Sequence, residues 1–128
     1  YLGAFTVAGG NVNVSAVQTI TSAEIGYSFN VEAETLPVDA QVVGGPLTGQ
    51  PRAINKVILD LNSTLSVSVN GTALVIRQTT SNFSTARVPI TGKEEFRLLG
   101  YSTDPTVKIT QISPLALQIN GLVAEVAF

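Results

Sequence analysis

Apolar and polar residues alternate along most of this chain. The pattern begins in residues 4–8 (AFTVA) and 11–17 (NVNVSAV), divided by Gly9-Gly10, and resumes in residues 24–36 (EIGYSFNVEAETL). A side-chain period of two marks a strand with one buried face. Residues 41–51 (QVVGGPLTGQP) are rich in Gly and Pro and predict a loop. The run 53–69 alternates again, with Ile54, Val57, Leu59 and Leu61 followed by Leu65, Val67 and Val69. Asn70-Gly71 then separates two β-rich runs. Both central residues of a type I′ turn need positive φ, so Asn-Gly here predicts a hairpin. Residues 79–86 (TTSNFSTA) are polar and read as a loop or sheet edge. Further strands are expected at 95–101 (EFRLLGY) and 106–112 (TVKITQI), joined by STDP, and the sequence closes with LALQINGLVAEVAF. No segment carries a capped helical stripe, and no fixed-period repeat is present. The fold class that follows is all-β: an antiparallel β-sandwich or partly open barrel of short strands with hairpins.

Three residues punctuate this pattern. Gly26 inside an expected strand predicts a bulge or a close backbone approach. Pro37 cannot donate to a ladder and holds Leu36 extended, so the strand should stop there. Asn120-Gly121 is compatible with a second hairpin turn, or with a glycine inside one long final strand.

Composition narrows the range of functions. The chain has 128 residues, with 7 Lys and Arg against 9 Asp and Glu. This length suits one domain, and a core of aliphatic side chains is well within its reach. High apolar content with little charge argues against disorder and for a surface partly covered by something else. The bases are scattered (Arg52, Lys56, Arg77, Arg87, Lys93, Arg97, Lys108), so no basic stripe could follow a phosphate backbone. There is no Cys and no His, which excludes disulfides, thiol chemistry and imidazole proton transfer. No apolar run reaches the ~20 residues of a spanning helix. With no Met in the sequence, Tyr1 reads as a cut point within a longer polypeptide or a processed end. Residues 1–128 are therefore read as a single β domain, part of a longer chain, with 1–23 a possible small lead-in β segment; the resemblance described below implies that it is the C-terminal part.

Candidate chemistry is sparse. Glu32 and Glu34 share a strand face, as a glycosidase's paired carboxylates flank a bond, but sit among polar neighbours and fit a solvated face better. Asp104 in STDPT suits turn initiation more than calcium binding, which needs several carboxylates. A Ser-His-Asp triad is impossible without His. VGGPLTGQP and PITGKEEF lack the phosphate-loop pattern and read as turns. Asn13, Asn62, Asn70 and Asn82 head glycosylation sequons, although Asn70 already has a turn role. No catalytic residue, metal ligand or cofactor is expected.

The order of short motifs resembles the C-terminal region of tail tubular, or nozzle, proteins of short-tailed bacteriophages. Their pattern Val-Gly-Leu-x-Tyr-x-Ser followed by Thr-Leu-Pro is similar to Ile25, Gly26, Phe29, Thr35, Leu36 and Pro37. A Gly- and Pro-containing loop and a basic-led strand follow, here from Arg52. A Pro-x-Thr-Gly turn and a strand ending in Gly plus an aromatic match Pro89, Thr91, Gly92, Gly100 and Tyr101. A valine-rich strand leading to Pro-Leu-Pro and a terminal Glu-Val match Pro114, Leu115, Glu125 and Val126. The sequence departs from the pattern at Tyr27, Ser28, Ser113 and Ala116. The resemblance spans residues 24–128. It implies one continuous final strand through Gly121. It also implies a structural, non-enzymatic role in the virion: a hexameric ring of copies below the portal, contacting adaptor and tail fibre. Genomic DNA would pass through that ring unbound by specific contacts. A receptor- or carbohydrate-binding sandwich and a capsid decoration or head-closure protein are the alternatives.

Overall fold

A computed structural model describes residues 3–14, 22–38, 41–42, 45–46, 49–76 and 86–127. Its organising element is a long aliphatic strand whose parity changes twice. Ile54, Val57, Leu59, Leu61 and Thr64 are all buried, yet the first and last intervals are three residues rather than two. In a flat strand such spacing would turn Ile54 and Thr64 to solvent. The chain instead inserts an extra residue at each place. In β4 (Ala53–Thr64), the register against the last strand slips between Ile54 and Lys56, and that against the preceding edge strand slips between Leu61 and Thr64. Each bulge restores the inward direction of the next side chain.

The remaining strands are β1 (Val31–Glu34), β2 (Gln41–Val42), β3 (Gly45–Pro46), β5 (Ser68–Val69), β6 (Thr72–Ala73), β7 (Ile90–Arg97), β8 (Lys108–Gln111) and β9 (Ile119–Ala127). They form a three-stranded sheet β7-β4-β9, a four-stranded sheet β1-β8-β5-β6 and the small β2-β3 pair, all antiparallel. No helix occurs among the described residues. Both larger sheets feed one core. Val57, Leu59, Leu61 and Phe96 come from one side, and Val67, Val69, Val107 and Ile109 from the other, with Leu122, Ala124 and Val126 packed against them. The result is an all-β, two-sheet antiparallel arrangement. No helix among the described residues is long and apolar enough to cross a membrane.

The alternating run 53–69 does not stay in one sheet. It leaves the first at Thr64 and enters the second at Ser68. Thr64 seals the corner: it is fully buried, and its hydroxyl donates to the Gln118 carbonyl at 3.1 Å and accepts from the Gln118 amide at 3.2 Å. The hairpin follows at once. Asn70 and Gly71 have φ of +47° and +83°, and Val69 pairs with Thr72 across them.

Several expected boundaries move. The strand expected over 24–36 is a strand only at Val31–Glu34, and Gly26 lies outside any sheet with open space around it. The reason is the partner: β8 stops at Gln111 ahead of Ser113 and Pro114, so among the described residues no strand lies beside residues 22–30. The 41–51 loop contains the short β2-β3 ladder. Gly92 is not in a turn: β7 starts at Ile90 and runs through it, with φ +136° at Gly92 opposite the Leu61–Thr64 bulge. A side chain would be strained there, so glycine lets β7 follow the kink in β4. β7 ends at Arg97, which leaves Gly100 and Tyr101 beyond the strand. The expected 106–112 strand shortens to β8, Lys108–Gln111. β9 passes through Asn120 and Gly121 without reversing, because Asp60 pairs with Gly121 and Leu61 with Ile119, leaving Asn120 as the extra residue. In the lead-in segment the described residues hold a single bridge, Ala8 to Asn11, around Gly9-Gly10.

Candidate functional site

Several ionisable groups on the two outer faces are solvated and paired, mostly from one strand to the next. Lys56 on β4 lies 2.9 Å from Glu125 on β9 and 4.0 Å from Glu95 on β7, which also holds Arg97 at 3.0 Å. On the opposite sheet Lys108 lies 2.7 Å from Glu32, while Glu34 accepts a 2.6 Å hydrogen bond from the Thr106 hydroxyl. The hydrogen bond and charge of Glu125 raise the Lys56 pKa, and those of Glu32 raise that of Lys108. Exposed pairs of this kind contribute little to stability. Glu32 and Glu34 thus stand on the solvated face of β1 rather than flanking a cleft. Asp104 sits in a turn whose backbone amide donates to Ser102 Oγ at 3.2 Å. Among the described residues no three acidic side chains converge as a metal-binding group.

Among the described residues the one deeply buried charge belongs to Arg52, 2% exposed at the mouth of β4. Its backbone bridges Ser102 in both directions at 2.8 Å. Its guanidinium donates to the carbonyl of Val38 and, at 2.7 Å, to that of Thr103. A planar fork with several donors can reach two carbonyls at once, which a lysine cannot. Arg52 therefore ties the segment after β1 to the loop between β7 and β8. Pro37 lies in the tied segment. Thr35 and Val38 on either side donate to Val107 and Pro105, and Pro37, which has no donor, is exposed between them.

Asn70 is a second brace. Its amide nitrogen Nδ2 donates to the Thr106 carbonyl at 3.1 Å, and its Oδ1 accepts from the Lys108 amide at 2.6 Å. The turn residue thus also locks the β5-β6 hairpin to β8. Asn62 bonds to Gln118, and Asn82 lies outside the described residues. Near Asn70 a shallow cavity of about 270 Å³ opens between Leu98, Tyr101, Ser102, Asp104 and Thr106. Leu99 and Tyr101 stand exposed on the same loop.

The largest anomaly is apolar surface with no cover. Ile25, Tyr27 and Phe29 are 84%, 99% and 57% exposed and alternate with Glu24, Gly26, Ser28 and Asn30. Val31 and Ala33, which continue this parity, pair with Gln111 and Ile109 of the core-facing β8. Residues 22–30 therefore extend the inward face of β1 past the end of its sheet. Val75, Val88 and Ile112 are also exposed. Monomers rarely leave so many large side chains bare, and such surface marks contact sites.

Of the residues singled out by sequence, the structure brings Arg52, Asn70 and Gly71 to one end of the sandwich through the 102–108 segment. Gly92 and Gly121 flank β4 on its two sides. Gly26 lies in the uncovered arm, and Pro114 in the connection from β8 to β9, beside the Leu115 carbonyl held by Gln111. The burial of Gln111 was missed. Its signal was parity, since Val107, Ile109 and Gln111 share a face and all three are buried. No known protein-family model matches the chain, and no curated protein matches it significantly.

Proposed function

We propose that this chain is a structural component of a bacteriophage tail, part of a ring-shaped nozzle through which DNA leaves the capsid, and that it works by contact with copies of itself and with neighbouring tail proteins. What carries the reading is the uncovered aliphatic and aromatic surface of residues 22–30, on a domain where Lys56, Glu95, Glu125, Arg97, Lys108 and Glu32 form solvated strand-face pairs. A ring subunit needs a stiff body and adhesive edges, and the two-sheet core with its bare strand edges supplies both. The motif order described above supports the specific assignment to a nozzle.

Electron cryomicroscopy of the virion that carries this chain tests the proposal. Density for the domain in a ring below the portal is expected; its absence from the particle, or its location at a fibre tip, would overturn it. A receptor- or carbohydrate-binding reading draws on one observation, the exposed Tyr101 at the rim of a cavity that also presents Asp104 and Ser102. Aromatic rings of this kind can stack on sugars, and glycan-array binding abolished by Tyr101→Ala would favour that reading instead.

A further inference from the structure

The uncovered arm and one particular sheet edge fit each other. Residues 22–30 alternate an apolar face (Ile25, Tyr27, Phe29) with a polar one, and none of them lies in a turn or bend, so the segment runs on from β1 without reversing. Extended at about 3.3 Å per residue, nine residues reach roughly 30 Å beyond β1. They have no strand beside them within their own subunit among the described residues.

Among the described residues the two larger sheets have four open edges: β1, β6, β7 and β9. Three carry charges that discourage strand addition. β1 presents Glu32 and Glu34 and β9 presents Glu125, all of the same sign as Glu24 on the arm. β7 places Glu94 opposite Leu59, on the core side, where an added apolar face would have to bury it. β6, Thr72–Ala73, carries no charge. Beside it lies a groove of about 390 Å³ lined by Leu65, Leu74, Val75 and Ile76, with Arg87 also in its wall. β6 and β1 are opposite edges of one sheet, separated by β8 and β5. An arm leaving the β1 edge of one copy and seating on the β6 edge of the next gives a head-to-tail contact, the kind that closes rings.

We propose that residues 22–30 of one copy add as a strand to the β6 edge of a second copy, with Ile25, Tyr27 and Phe29 in the groove along Leu74 and Val75, and Glu24 against Arg87. The occupant is a second copy because the arm supplies all three complements of the groove: an unpaired backbone, an apolar face of matching period and a single carboxylate for its arginine. This deepens the reading of the chain as an assembling subunit and rests on it.

The absence of native cysteine makes cross-linking a clean test. The whole chain is prepared as Tyr27→Cys and as Val75→Cys, and the two are mixed and oxidised. A disulfide-linked dimer of one of each is the expected product. A Tyr27→Cys/Val75→Cys double variant should give linked oligomers; a cross-linked monomer would show the arm on its own subunit and overturn the proposal. Sedimentation over a concentration series follows self-association. Ser28→Pro removes one backbone donor from the arm without touching either sheet, so it should leave the melting temperature unchanged and weaken association about tenfold or more. Arg87→Glu should weaken it as well, and Glu24→Arg combined with Arg87→Glu should restore it. Association that is unaffected by Ser28→Pro and gives no mixed cross-link would overturn the arm contact while leaving the structural-subunit reading intact. A chain that stays monomeric at every concentration would overturn both.

Discussion

Replacing Arg52 with methionine tests whether the buried guanidinium holds the fold together or is only tolerated there. The substitution keeps most of the side-chain volume and leaves the backbone bridge to Ser102 in place. It removes the donors to Val38 and Thr103. Two effects oppose each other. Taking a charge out of water is costly, and apolar replacement of a buried ion is sometimes neutral or stabilising. Here, however, two of the partners are neutral carbonyls that would lose their donors, and a charge-assisted bond is worth about 1.5–3 kcal/mol. The two carbonyls lie in loops, where water can partly replace the lost donors. A net loss of about 2–4 kcal/mol follows, a large share of the ~5–15 kcal/mol that holds an ordinary domain. With a urea slope of roughly 2 kcal/mol per molar, the unfolding midpoint should fall by about 1–2 M. Arg52→Lys should land between wild type and methionine, because one ammonium cannot span both carbonyls. If Arg52→Met unfolds at the wild-type midpoint with the wild-type slope, the brace contributes nothing and the reasoning fails.

Three further outcomes follow from the same geometry. Gly71→Val forces a branched side chain to φ +83°, which should cost about 1–2 kcal/mol or more; a melting temperature equal to wild type would contradict the turn assignment. Leu59→Ala empties a fully buried site and should cost about 2–5 kcal/mol in denaturant unfolding, whereas Val123→Ala on the exposed face should stay within about 0.5 kcal/mol. Lys56 and Lys108 have folded pKa values raised above 10.5 by Glu125 and Glu32. Their pairing therefore stabilises the fold below that pH and is lost as pH rises through the folded values. A Lys56→Met/Lys108→Met variant should accordingly be only slightly less stable than wild type near neutrality and converge on it in alkaline unfolding curves.

Much of the architecture was legible in the residues. Period-two patterning gives an all-β fold, and Asn70-Gly71 gives the hairpin because few dipeptides accept two positive φ values in succession. The three-residue step from Ile54 to Val57 stands in the sequence, but its meaning depends on the partner strand, which local pattern does not name, and the step from Leu61 to Thr64 shows only in the burial of Thr64. The same limit explains Glu24–Asn30. It alternates as well as any true strand, and only the early stop of β8 leaves it unpaired. Gly92 misled because a glycine after threonine suggests a turn, while the demand on it comes from a bulge in β4, far away in sequence. For the candidate site, Arg52 could be picked out at the head of its strand, but its two carbonyl partners lie in segments before and well after it.

The central place of β4 has a consequence for how the protein is made. The strand is complete at Thr64, yet one flank begins at Ile90 and the other only at Ile119. At roughly 5–20 residues per second, a ribosome leaves that aliphatic ribbon without its second neighbour for several seconds. Over that interval it is a sticky intermediate, and nascent chains halted before Ile119 should remain open to protease attack and need chaperone shelter. The late arrival of β9 makes its release the step that commits the domain to its native state.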